Sequence, residues 1–91
     1  MNLTEQLTAL SAEITEARKA VRILDEQLAF QLDVAEDARV KALVSETPLA
    51  DRDYRIARDD LERMRRSRDD EARHLEQLEQ ERDALLDRLA G

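Results

Sequence analysis

Apolar residues recur along the first half of the chain at alternating intervals of four and three residues, the spacing of a coiled-coil heptad. This stripe consists of Leu3, Leu7, Leu10, Ile14, Ala17, Val21, Leu24 and Leu28. The same register continues through Gln31, Ala35, Ala38, Ala42 and Ser45, where the side chains are smaller. The pattern predicts one long helix over about residues 3–45 that buries a single face. Asn2, followed by Glu5, is typical of a capping box at its start.

The second half of the chain has a heptad stripe of its own. Its apolar members are Tyr54, Ala57, Leu61, Met64, Leu75, Leu78, Leu85 and Leu89. Three polar residues occupy the remaining a and d positions of this stripe, namely Arg68, Glu71 and Arg82. A helix over about residues 48–90 is expected, with Thr47 as its N-cap and Pro48 at its first position, where the missing N–H costs nothing.

Two such stripes pair well when the chain folds back between Ser45 and Pro48. Small residues of the first stripe then meet large ones of the second, as in Ala17 with Leu78 and Ala35 with Leu61. The sequence therefore predicts an all-α fold, a single antiparallel two-helix coiled-coil hairpin. The alternative is one continuous helix in a parallel dimer, which is disfavoured because an internal proline costs about 3 kcal/mol.

Composition narrows the functional classes. The 91 residues allow one domain, 41% of them are charged, and the net charge of −7 disfavours nucleic acid and anionic membranes as partners. Cysteine is absent, which excludes disulfides and zinc thiolate sites. No apolar run is long enough to span a bilayer and no signal peptide is recognisable, so a cytoplasmic protein is expected. Thirteen arginines against two lysines suit a GC-rich bacterial genome.

Four apolar residues of the first helix fall outside its heptad stripe. Ile23, Phe30 and Val44 occupy c positions and Val34 occupies a g position, both next to the stripe on a helical wheel. The middle of this helix thus has an apolar face wider than one partner helix covers. Two interpretations remain open: ordinary scattered surface residues, or an interface for a homodimeric four-helix bundle or another helical protein.

The polar residues of the second stripe also have two interpretations. Arg68, Glu71 and Arg82 sit where buried polar groups often fix the register or the oligomeric state of a coiled coil. Alternatively, the arginine stems pack on the stripe while the guanidinium groups reach acidic neighbours on the first helix. The acids placed to receive them are Glu13, Asp25 and Glu26.

One pair on the second helix has the spacing of a metal-ligand motif. Glu71 and His74 are three residues apart, as in carboxylate-bridged di-metal helical bundles, and Asp25 and Glu26 are expected at the same level. A histidine at the edge of a coiled coil is more often simply solvated, and neighbouring Arg68 opposes a cation. No metal or other cofactor is therefore expected.

The turn carries the acidic residues Glu46, Asp51 and Asp53. The segment Asp53–Asp59, with the sequence DYRIARD, resembles the stretch that opens the second helix of the Gre transcript-cleavage factors. In that family an antiparallel coiled coil enters the secondary channel of RNA polymerase, and acids at its tip help to hold a catalytic magnesium ion. The resemblance implies a polymerase regulator acting through its tip. The chain lacks the glycine of the Gre turn and the family's C-terminal domain.

The sequence contains no glycine-rich phosphate loop, no thiol and no Ser/His/Asp set. We therefore expect a non-catalytic coiled-coil module that binds itself or another helical protein through its helical faces. The alternative is the polymerase-channel regulator. The two differ in whether the helical faces or the acidic tip carry the function.

Overall fold

A computed structural model describes all residues from 1 to 91. It contains two helices, α1 over Leu3–Ser45 and α2 over Pro48–Ala90, which pack against each other as a hairpin. The expectation of two long helices separated at Pro48 is confirmed, and the continuous helix is wrong. Both helices lack an apolar stretch of the length that a membrane span requires.

Each helix begins with the cap that the sequence indicates. The N–H of Glu5 donates to Asn2 Oδ1 at 2.8 Å, and the N–H of Ala50 donates to Thr47 Oγ1 at 3.1 Å. These bonds satisfy backbone donors that have no partner inside the first turn of a helix. Pro48 follows Thr47 directly and lies where its ring does not interrupt the hydrogen-bond ladder.

Helix α1 ends at a residue in the left-handed conformation. Glu46 has a φ of 52°, and its N–H donates to the carbonyl of Ala42 at 3.2 Å. This is the hydrogen bond of the αL termination motif, which usually employs glycine because a Cβ is strained there. The connection between the helices is therefore only two residues long, Glu46 and Thr47.

The chain divides into two compact units, each made of a segment from both helices. The terminal unit comprises Met1–Arg22 and Asp69–Gly91, and the turn unit comprises Ile23–Arg68. The terminal unit holds the larger apolar core. Its buried residues are Leu10, Ile14, Ala17 and Leu78, with Leu75 and Leu85 packed against them.

The turn unit has a thin core. Its buried apolar residues are only Ala35 and Ala57. The buried position Gln31 adds a polar contact, since its Nε2 donates to the carbonyl oxygen of Ala57 across the helix pair at 3.0 Å. Small side chains at the seam, meaning the line of a and d positions, allow the helices to pack but bury little apolar surface.

The seam follows the predicted register. Positions a and d are buried or half-buried throughout α1 from Leu3 to Ala42 and throughout α2 from Tyr54 to Leu85. The heptad stripe of the second helix also predicts Leu89 in the seam, and this is wrong, because Leu89 is exposed in the last turn of α2. A leucine so close to the helix end has no following turn to pack beside it.

Candidate functional site

Large apolar side chains are exposed mainly in the turn unit. Nine of the twelve exposed large apolar residues of the chain lie there, although this unit has the thinner core. All four members of the wide face that the sequence indicates are among them. Phe30 is 70% exposed and Val44 is 79% exposed, and Ile23 and Val34 are exposed as well.

Helix α2 extends this surface with two residues that the sequence reasoning missed. Leu49, 66% exposed, and Ile56 both occupy c positions of the α2 register. In an antiparallel pair the c and g positions of both helices lie on the same side of the seam. We call the six residues together the apolar face: Ile23, Phe30, Val34 and Val44 of α1, with Leu49 and Ile56 of α2. The sequence signal for Leu49 and Ile56 is their separation by seven residues, which places both at the same heptad position.

Two grooves of the turn unit open on the apolar face. One is lined by Val34 and Leu49 together with the small residues Ala38 and Ala57, and has a volume of about 530 Å³. It exists because the alanines of the seam leave space that larger side chains would fill. We call it the alanine groove. The second groove is lined by Ile23 and Phe30 of α1 and by Met64 of α2.

Three charged side chains line the alanine groove, namely Asp37 and Lys41 of α1 and Asp53 of α2. Lys41 of α1 and Asp53 of α2 both line it, both are exposed, and both occupy g positions. They lie at the same level, because Lys41 precedes Glu46 by five residues and Asp53 follows Thr47 by six. Neither forms an ion pair within the chain. The groove thus presents both a carboxylate and an amine on the α1 rim and a carboxylate on the α2 rim.

The polar seam residues lie where the register places them, and their partners differ. Arg68 is half-buried, and its Nη1 lies 3.7 Å from Asp25 Oδ1, one of the expected acids. Arg82 instead pairs with Asp83 at 3.2 Å and Glu79 at 4.0 Å on its own helix. The expected reach of Arg82 to α1 is therefore wrong. Local acids satisfy its guanidinium without a cross-helix contact.

Glu71 and His74 line a groove of the terminal unit, but with different acids than the sequence suggested. The α1 carboxylates that share this groove are Glu13 and Glu16, not Asp25 and Glu26. Glu71 is half-buried and His74 is exposed. No group of three or more histidine, aspartate or glutamate side chains is placed to hold a metal ion.

The acids of the turn differ in their surroundings. Glu46 and Asp51 are exposed, and Asp53 turns to the alanine groove that it shares with Lys41. They are likewise outside any candidate metal-binding group. Asp53 therefore borders the alanine groove, which opens on the apolar face.

The arginine-rich start of α2 is largely an array of local ion pairs. Arg63 with Asp60 and Arg65 with Glu62 pair at i, i+3 spacing, and Arg58 also lies over the ring of Tyr54 at 5.7 Å from its centroid. Such exposed pairs contribute about 0–1 kcal/mol each. This part of the chain is thus a solvated face, as the charge pattern indicates.

No protein-family model, curated protein or solved structure matches this chain. The resemblance to the Gre factors rests on the segment Asp53–Asp59 alone.

Proposed function

We propose that this chain is a non-catalytic coiled-coil interaction module, and that its apolar face joins a second copy in a homodimeric four-helix bundle. The observation that carries the proposal is the apolar face itself. Six large apolar side chains from both helices are exposed on one side of the turn unit. An exposed apolar patch of this kind marks an interaction surface in soluble proteins.

The thin core of the turn unit supports association. Ala35 and Ala57 are its only buried apolar residues, larger seam residues such as Leu28 and Leu61 are only half-buried, and the six residues of the apolar face are exposed. Burying a side chain such as Phe30 or Leu49 contributes about 1.5–3 kcal/mol when it becomes fully covered. A helix pair that buries so little by itself gains stability when two pairs combine.

Sedimentation of wild-type protein and of Phe30→Glu tests the proposal. The wild type is expected to be a dimer. In the variant both copies place a carboxylate in the interface, where its desolvation opposes assembly, and the dissociation constant should rise by about a hundredfold or more. Helix content measured by circular dichroism should stay close to that of the wild type, because Phe30 lies outside the seam.

Leu32→Glu is the matched control. Leu32 is on the same helix and is 53% exposed, but it occupies an e position on the other side of the seam. Its replacement should leave the dimer intact. A monomeric wild type at high concentration, or equal effects of the two substitutions, would remove the apolar face as the interface.

Action on RNA polymerase through the acidic tip is the alternative function. It needs carboxylates that converge at the turn, and Asp53 lies instead beside Lys41 in the alanine groove. No feature of the turn favours this function over the interaction module, and a transcription assay with purified polymerase separates the two.

A further inference from the structure

We infer that this chain has a second way to associate, in which two copies exchange α2 and each α1 packs against the α2 of the other copy. This exchange is separate from the proposed dimer, because it uses the seam and the turn rather than the apolar face. Three features of the molecule support it, namely a strained connection, a seam that either chain can complete, and exposed apolar side chains beside the turn.

The connection between the helices is short and its backbone is strained. Glu46 is its first residue and has a φ of 52°, the left-handed conformation that is unfavourable for most residues with a Cβ. Closing the hairpin imposes this conformation, because the chain must reverse its direction within Glu46 and Thr47. When two copies exchange α2, the chain does not reverse, and Glu46 can adopt an ordinary extended conformation. Each exchanged dimer thus relieves the strain at two residues.

The start of α2 does not depend on a closed turn. Thr47 caps α2 with its own hydroxyl, which accepts from the N–H of Ala50 at 3.1 Å, and Pro48 begins the helix. Pro48 also keeps α1 and α2 from joining into one helix, since a proline inside a helix removes a hydrogen bond and clashes with the preceding turn. Both helices therefore keep their ends on exchange, and only the connection changes its conformation.

The contacts across the seam are the same whether α1 and α2 belong to one chain or to two. Leu10, Ile14 and Leu78 share the buried core of the terminal unit. In the turn unit, Gln31 Nε2 donates to the carbonyl oxygen of Ala57 at 3.0 Å. These contacts all join α1 to α2, so they form again between the two copies. Because no seam contact is lost, exchange of an identical element is a low-cost route to a dimer.

The apolar side chains beside the turn favour the exchanged form. Leu43, Val44 and Leu49 flank the connection and are 64%, 79% and 66% exposed, so the hairpin leaves them mostly in contact with water. In an exchanged dimer each connection links one helix pair to the other, and the two connections therefore run side by side. This brings the flanking residues of both copies together, and burial of part of their apolar surface stabilises the dimer.

Chains that carry one cysteine each detect the exchange, because the chain has no cysteine of its own. Arg18→Cys and Glu79→Cys replace the partners of an exposed ion pair between α1 and α2, whose Nη2 and Oε2 lie 3.7 Å apart. Both are e positions, on the side of the seam away from the apolar face, so a dimer through that face does not bring them together. Both variants also carry Phe30→Glu, which keeps the apolar face from holding copies together.

The two variants are mixed in denaturant, refolded together at high concentration and kept until cross-linking by a short bifunctional maleimide gives a constant yield. The mixture should give cross-linked pairs of chains well above the background that each variant gives when it is refolded alone. A mixture that stays at this background would overturn the exchange. The proposed dimer would be untouched by that result, because the apolar face is disabled in every chain of this experiment.

Variants of the turn test what drives the exchange. Glu46→Gly adopts the left-handed conformation without strain, so it should lower the equilibrium constant for exchange by about tenfold or more, since each dimer contains two such residues. Glu46→Gln is the matched control, because it keeps the strain, and it should exchange like its parent. Equal yields for Glu46→Gly and the parent would overturn the inference that the strained turn favours exchange.

Discussion

At the scale of single residues, Glu46 is the most constrained backbone position. Its φ of 52° lies in the left-handed region, where residues other than glycine and asparagine are strained. Replacing Glu46 by Gly or Asn should therefore raise the free energy of unfolding by about 1 kcal/mol, measured by chemical denaturation. Glu46→Gln is the control, because it removes the charge but keeps the strain. A gain of similar size in the control would assign the effect to charge.

The ion pair of Glu36 with Arg39 provides a pH-dependent prediction. Arg39 donates from Nε at 3.0 Å and from Nη2 at 2.6 Å to the two carboxylate oxygens of Glu36, and this hydrogen bonding lowers the pKa of Glu36. In Arg39→Gln the pKa of Glu36, followed by NMR titration, should rise towards its ordinary value.

Because the pKa of Glu36 is lowered in the folded chain, the stabilisation that its pair with Arg39 provides depends on pH. The contribution of the pair is present above the pKa that Glu36 has in the unfolded chain, and it is lost as the pH falls through the folded value. The difference in stability between wild type and Arg39→Gln should consequently shrink in acid. A difference that persists at low pH would point to a role of Arg39 outside this pair.

At the scale of the helices, Arg68 tests what the polar seam contributes. Its side chain is 34% exposed, so the charge is partly desolvated, and an apolar group of similar volume is often as stabilising as a charge at such a position. Arg68→Leu places an apolar group near Leu28 and should raise the free energy of unfolding by on the order of 1 kcal/mol, seen as a higher melting temperature. Arg65→Leu, on an exposed position, should give no such gain. A lower melting temperature for Arg68→Leu would mean that the ion pair outweighs the packing.

Sequence alone predicts the helices and their ends because those features are local. Asn2 and Thr47 act as caps within three residues, and Pro48 stops any continuous helix through the turn. Heptad spacing then selects the face that each helix buries. Sequence alone does not predict which of several similar partners a polar side chain contacts. The register sets Arg82 near Glu13 of α1, but Arg82 pairs with acids of its own helix. The register likewise places Gln31 in the seam without indicating its hydrogen bond to Ala57.

The apolar face shows the same limit. Its α1 members were recognised from a single helix, since one heptad register was enough. Leu49 and Ile56 have the same spacing on α2, but their membership of the face requires knowledge of which sides of the two helices coincide. The placement of Lys41 and Asp53 around one groove depends on that alignment as well.

At the scale of the whole molecule, the remaining question is whether the helical faces or the turn carry the function. If the apolar face carries the function, Glu46 is mainly a solvated group, and Asp51 is a favourable negative charge in the first turn of α2. The double variant Glu46→Gln with Asp51→Asn should then change stability by about 0.3–1 kcal/mol, through the helix dipole, and leave dimerisation intact. Asp53 is left unchanged in this variant because it lies in the proposed interface.

A transcription assay with a bacterial RNA polymerase tests whether the turn carries the function. A channel regulator must alter transcript cleavage or initiation, and neutralising Glu46 and Asp51 must abolish that effect while the fold is kept. We expect wild type and double variant to be equally without effect, because the carboxylates at the turn form no group able to hold a metal ion and Asp53 lies in the alanine groove. An effect of the wild type that the double variant loses would transfer the function from the apolar face to the turn, since dimerisation is the same in both proteins.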